Sequence, residues 1–172
     1  RTAGGDGVPA GLDLGAGSGF GAGIYARATI GELTGDDSLV EDALQMSRLL
    51  THAVIRDDDS LDLISGSGGA IVGLLKLHRM TGDAGVLATA VRCGDHLVAR
   101  TTRVGDGAAA WRSPYQRHLL GGMSHGASGI CLALGRLHPI ERANTATARK
   151  WRPRDMALHI ARRQSRSQVR PM

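Results

Sequence analysis

A glycine-rich segment that occurs three times constrains the fold of this chain more than any other feature. The letters SGFGA at residues 18–22 align with SGSGG at 65–69, and the offset of 47 residues continues without a gap for more than 25 positions. A third copy begins with HGASG at 125–129 and continues to Leu137. Repeats of this length are units that bury their apolar faces against their neighbours. Each glycine-rich segment, together with the residues that lead into it, is called a repeat head below; the three heads are residues 13–22, 60–69 and 120–129. The heads therefore mark equivalent points of a stacked array.

Each repeat has the pattern of a helical hairpin. Apolar residues follow the first two heads at helical spacing, and the letters TGD then occur at 34–36 and 81–83. Glycine suits the left-handed residue that ends a helix, and the following Asp suits the cap of the next one. The small residues of the heads allow neighbouring backbones to approach closely. We therefore predict an all-α fold of three helical hairpins with about six or seven helices.

Two enzyme motifs match the glycine strings formally. The stretch LDLGAGSGFGAG at 12–23 resembles the first motif of S-adenosylmethionine-dependent methyltransferases, and GMSHG at 122–126 has the spacing of a nucleophile elbow. Both motifs need a strand before the glycines. The residues upstream of each have turn or irregular composition instead. A methyltransferase is the weaker alternative, and it would show strand content.

The composition favours close-packed helices. Hydrophobic residues make up 42% of the 172 residues, aromatic residues only 3%, and there are 25 glycines. No apolar run reaches the roughly 18 residues that span a membrane, and no secretory signal is visible. The two cysteines, Cys93 and Cys131, match neither a CxxC motif nor a disulfide framework. This favours a reducing, cytoplasmic location.

Positive charge is concentrated in the last part of the chain. Residues 138–172 hold nine Lys and Arg residues against two acids, a net charge of +7, which leaves −2 for residues 1–137. Because Trp151 is the only aromatic residue in this block and no nucleic-acid-binding motif is recognisable, we expect no nucleic-acid partner. We predict a domain over residues 1–137 and a basic tail over 138–172 that is divergent or disordered. Pro139 is expected to break the helix of the third repeat.

Two polar residues at the repeat heads are candidates for chemistry. His125 occupies the position of Ser18 and Ser65 in the other copies, so its imidazole would face a shared end of the array. It equally suits a helix cap. Asp62 lies among apolar residues three positions before Ser65, whereas the acids at 57–59 have the pattern of a solvated turn. A carboxylate beside a histidine orients its tautomer and stabilises its charged form. We therefore expect Asp62 and His125 to lie close together.

Three segments carry a resemblance to a known family. They read LDLISGSGGAIVGLLKLHRMTGD, AVRCGDHL and LLGGMSHGASGICLALGRL, and they resemble successive blocks of lanthionine synthetase C-like domains, most closely the cyclase half of class II (LanM-type) lanthipeptide synthetases. The resemblance covers about residues 15–137. It implies an α/α-barrel, or toroid, of nested helix pairs.

The resemblance also implies an activity. In the family, a zinc-bound cysteine thiolate of a precursor peptide adds to dehydroalanine or dehydrobutyrine and closes a thioether ring. Carried over by motif, His125 would be the general acid that protonates the enolate, or would assist the thiol. Asp62 would be its acidic partner. The implied partner is a lanthipeptide precursor peptide, and the implied metal is zinc.

The chain departs from the family in its metal ligands. The Trp-Cys-x-Gly and Cys-His-Gly segments that bind zinc in family members do not occur here. Cys93 matches a position that is not a ligand, and Cys131 lies within a predicted inner helix, so we assign no metal ligand. We expect a fragment of a cyclase that is inactive alone, without the dehydratase and C-terminal cyclase regions. The alternative is a non-catalytic helical scaffold that binds peptides.

Overall fold

The computed structural model describes residues 13–104, 108–114 and 117–144. These residues form six helices and one small antiparallel hairpin, which confirms the predicted all-α class. The elements are α1 (Phe20–Thr34), α2 (Asp37–Arg48), α3 (His52–Arg56), α4 (Ser67–Thr81), α5 (Ala84–Ala99), β1 (Thr102–Val104), β2 (Ala108–Ala110) and α6 (Ala127–Asn144).

The corners of the first two hairpins form as their sequence predicts. Gly35 and Gly82 end α1 and α4 with φ angles of 70° and 67°, a backbone conformation that residues with a side chain rarely adopt. Asp36 then accepts a hydrogen bond from the backbone of α2, and Asp83 accepts one from Val86 at the start of α5. The shared TGD letters therefore encode the same helix–turn–helix geometry twice.

The helices form two layers. Helix α4 packs between α1 and α6, while α2 packs against α1 and α5 against α4. We call α1, α4 and α6 the inner helices, and α2 and α5 the outer helices. The core lies between the layers and consists almost entirely of aliphatic side chains, among them Ile24, Ile71, Leu74, Leu97, Ile130 and Leu134. The described part of the third repeat contributes only α6.

Glycines let the inner helices approach closely. A Cβ atom at Gly73 of α4 would overlap the carbonyl group of Gly21 in α1, and one at Gly21 would overlap the backbone of Gly69. Side chains are therefore excluded at this contact by backbone atoms, which cannot move aside. The prediction that small residues at the heads permit close packing is confirmed.

The region between the second and third repeats was not predicted. The third head follows the second by 60 residues instead of 47, and the added length contains the β1–β2 hairpin. Trp111 follows β2, is 4% exposed, and donates its indole N–H to the carbonyl oxygen of Leu97 at 2.7 Å. The ring thereby fixes the hairpin against the end of α5.

The prediction that Pro139 breaks the helix of the third repeat is wrong. Helix α6 continues through Pro139 to Asn144. Proline removes one backbone hydrogen bond of a helix, but the residues on both sides are held by packing: Leu137 is buried and Ile140 packs against the core. The predicted basic tail lies outside the described residues from 145 onward. Among the described helices, none combines the length and the apolar character that crossing a membrane requires.

Candidate functional site

The three repeat heads lie side by side and are joined by backbone hydrogen bonds. Gly17 of the first head donates to the carbonyl oxygen of Ile64 in the second at 2.9 Å. Ile64 in turn donates to the carbonyl oxygen of Ser124 in the third at 3.3 Å. The heads therefore meet at the end of the array where the inner helices begin.

Each head closes with an equivalent backbone loop. The amide of Gly21 donates to the carbonyl oxygen of Leu14 at 3.1 Å. The amide of Gly68, which lies 47 residues after Gly21, donates to the carbonyl oxygen of Leu61 at the same distance. In the third head, Ala127 donates to Leu120 at 2.9 Å, which is the counterpart of the bond from Phe20 to Asp13 in the first head. The repeat in the sequence is thus a repeat in hydrogen bonding, and a helix follows each copy.

The structure brings Asp62 and His125 into direct contact. His125 Nδ1 lies 2.9 Å from Asp62 Oδ2, across the boundary between the second and third heads. Asp62 Oδ1 accepts a second hydrogen bond from the backbone N–H of Ser65 at 2.8 Å. The Asp62 side chain is 1% exposed, whereas that of His125 is 48% exposed. A buried, fixed carboxylate therefore holds an imidazole that remains open to solvent.

This contact determines which nitrogen of His125 faces outward. A carboxylate only accepts hydrogen bonds, so Nδ1 of His125 carries the proton that it donates to Asp62. Nε2 then holds a lone pair when the ring is neutral and a proton when it is charged. An imidazole oriented by a carboxylate in this way can take up a proton at Nε2 and release it again to a bound molecule.

Asp58 is buried, and its assignment to a solvated turn is wrong. Its Oδ2 atom accepts from the backbone N–H of Ser67 at 2.7 Å and from the Ser67 hydroxyl at 2.6 Å. Its Oδ1 atom accepts from the amides of Ser60 and Leu61 at 3.0 and 3.3 Å. Asp58 thereby caps the start of α4 and closes the loop that contains Asp62. Leu61, the one non-glycine residue with a positive φ in the described ranges, lies in this loop at 63°.

His96 supports the same loop from the outer layer. Its Nε2 atom lies 2.7 Å from the carbonyl oxygen of Asp58, so α5 contacts the segment that precedes Asp62. Sequence reasoning missed both roles. Nothing in the run Asp57-Asp58-Asp59 distinguishes its middle member, and the partner of His96 is 38 residues away.

The described residues do not fit the zinc site that the family resemblance implies. Burial raises the pKa of the Cys93 thiol to about 12 and that of the Cys131 thiol to about 11. Zinc binds the deprotonated thiolate, and these are the chain's two cysteines. Across residues 13–104, 108–114 and 117–144, no three His, Cys, Asp or Glu side chains are grouped so that they could hold a metal ion.

Comparison with protein-family models identifies a family for this chain. A family model described as lanthionine synthetase C-like protein matches residues 10–146. That range contains all six described helices and the Asp62–His125 pair. A search among curated proteins found no match to the chain.

Proposed function

The chain belongs to the lanthionine synthetase C-like family, and we propose that its repeat heads carry the proton-transfer part of a lanthionine cyclase site. The substrate is a precursor peptide in which a cysteine thiol adds to dehydroalanine or dehydrobutyrine. The hydrogen bond between Asp62 and His125 is the observation that supports this role. The closer resemblance to class II synthetases and a cytoplasmic location belong to the same proposal.

The chemistry follows from the open Nε2 atom of His125. As the sulfur forms a bond to the β-carbon, the electron pair of the C=C bond moves to the α-carbon and the adjacent carbonyl group as an enolate. His125 Nε2 takes the proton that the thiol releases and gives it to the α-carbon. Asp62 keeps the Nδ1 proton in place and stabilises the imidazolium between the two transfers. The product is a thioether, and the histidine returns to its starting form.

A metal ion that would lower the pKa of the substrate thiol finds no group of three ligands among the described residues. Cys93 and Cys131 are protonated thiols, so we assign them no step in the reaction. We propose that the dehydratase and C-terminal cyclase regions of class II synthetases, with their zinc site, complement this chain. With an ordinary cysteine peptide we expect little cyclisation by the chain alone.

An assay with a thiol that needs no activation tests the proposal. The full chain is mixed with an aromatic thiol, which is ionised at neutral pH, and with a synthetic peptide that contains dehydroalanine. Mass spectrometry follows thioether formation, and chiral analysis gives the configuration at the α-carbon. We expect acceleration over the uncatalysed addition and one preferred configuration, because a fixed acid delivers the proton to one face.

Three variants complete the design. His125→Ala should abolish the acceleration, which for a general acid is about 10²–10⁴-fold at most, and Asp62→Asn should reduce it. His52→Ala is the matched control, since His52 is an exposed histidine at the start of α3. Equal rates for wild type and His125→Ala would refute the proposal. Peptide binding without any acceleration would favour the alternative of a non-catalytic scaffold.

A further inference from the structure

A groove runs along the face of the inner helices that points away from the outer layer. It encloses about 630 Å³ between α1, α4 and α6. Tyr25, Val72, Leu75 and Ile140 form an apolar floor, and Tyr25 is 45% exposed there. A groove of this size with a mainly apolar lining suits a few side chains of a ligand.

Three cations border this apolar floor. The Lys76 ammonium is bound by Glu32, so its charge is already compensated. Arg79 lies close enough to lower the pKa of the Glu32 carboxyl, but it makes no ion pair with it. Arg136 is exposed and has no carboxylate partner within the described residues. The groove therefore carries excess positive charge directly beside apolar surface.

The groove lies within reach of a peptide held at His125. Arg136 is nine residues beyond the start of α6 at Ala127, which corresponds to about 14 Å along the helix axis. An extended peptide covers this distance with about four residues. One peptide chain can therefore contact His125 and the groove at the same time.

We propose that this groove binds an acidic, amphipathic segment of a peptide. Its apolar side chains pack on the floor, and its carboxylates form charge-assisted hydrogen bonds with Arg79 and Arg136, whose guanidinium groups suit carboxylates. The peptide nature of the ligand rests on the proposed function. A peptide segment in the groove would lie about four residues along the same peptide from the residue that reacts beside His125.

Binding is tested without catalysis, so failure of the cyclisation assay leaves this test intact. The probe is a fluorescein-labelled peptide of about eight residues in which Glu and Leu alternate, and its twin has Gln in place of Glu. Fluorescence anisotropy measures the affinity of the full chain for each. We expect the Glu peptide to bind more tightly and to lose affinity with added salt, because paired charges are screened.

Charge-reversal variants locate the site. Arg136→Glu should weaken binding of the Glu peptide by about tenfold or more, which is a loss of at least about 1.4 kcal/mol. Arg48→Glu is the control, because it makes the same charge change on outer helix α2, where Arg48 pairs with Glu41. Circular dichroism checks that each variant is folded, and Arg79→Gln replaces Arg136→Glu if that variant is not. Equal loss in both charge-reversal variants, or equal binding of the two peptides, would overturn the proposal.

Discussion

Removal of the Asp58 carboxylate should destabilise the whole chain, although its neighbour Asp57 is dispensable. Asp58 accepts four hydrogen bonds, two of them from Ser67, which is fully buried at the start of α4. In Asp58→Ala the two Ser67 donors lose their acceptor without access to water. The amides of Ser60 and Leu61 lose theirs at the edge of the same loop.

The magnitude follows from the number of groups left unpaired. A buried donor without a partner costs about 1–3 kcal/mol. The two Ser67 donors together give about 2–6 kcal/mol, and rotation of the Ser67 hydroxyl toward another acceptor recovers part of it. We therefore expect Asp58→Ala to lower the free energy of unfolding by about 3 kcal/mol. Loss of this carboxylate also removes the favourable interaction of a negative charge with the amino end of α4.

Urea denaturation followed by circular dichroism measures the effect, with Asp57→Ala as the matched control. Within the described part of the chain Asp57 pairs only with Arg56, on the surface, and both side chains are more than 60% exposed. An exposed pair contributes little, so this variant should unfold near the wild-type midpoint. Asp58→Asn should fall between the two, because its amide still accepts through one oxygen. A loss below about 1 kcal/mol in Asp58→Ala would refute the assignment of Asp58 as the acceptor that holds this loop.

Three further predictions concern helix packing, alkaline pH and a buried lysine. Gly73→Ala should lower the free energy of unfolding by about 1–3 kcal/mol, because the new Cβ atom would overlap the backbone of Gly21. Gly135→Ala should raise the free energy of unfolding by about 0.5–1 kcal/mol in the same urea assay, because the space around Gly135 on α6 is open. Because burial raises the pKa of Cys93 from 9.0 to about 12, the unfolded chain releases this proton first, so stability falls as the pH rises through this range. Urea titrations should show a slope that is steeper in wild type than in Cys93→Ala by up to about 1.4 kcal/mol per pH unit. The slope that remains in the variant comes from the half-buried Cys131 thiol, whose pKa is about 11. Glu32→Gln should lower the melting temperature at neutral pH by leaving the Lys76 ammonium without its anion. Because Lys76 lowers the pKa of Glu32, this difference should vanish when acid protonates the carboxyl below its ordinary value of 4.5.

The sequence predicts those parts of the fold that depend on local rules. The TGD corners form because Gly35 and Gly82 permit a left-handed backbone and the following acids cap a helix. The repeat alignment also predicts that the heads of successive repeats are neighbours, which places Asp62 near His125. These features need only the period of the repeat and the chemistry of individual residues.

Other features depend on contacts that no local pattern records. Asp58 is buried because Ser67 and His96 reach it from different elements, while Asp57 beside it faces solvent. The β2 strand consists of alanines, which have low strand propensity, and it is held in place by the hydrogen bond from Trp111. Tertiary packing likewise overrides the local preference of proline in α6.

The candidate site arises where two copies of the repeat depart from their shared pattern. Alignment of the heads places Asp62 opposite Gly15 and Gly122, and His125 opposite the serines of the other two copies. At Gly15 a side chain is excluded, because a Cβ atom would overlap the backbone of Ile64 in the next head. A carboxylate at this position of the second head instead meets an imidazole from the third. The repeat itself requires neither Asp62 nor His125, yet the two side chains contact each other at 2.9 Å. Residues that depart in this way from an otherwise consistent pattern are expected at functional sites.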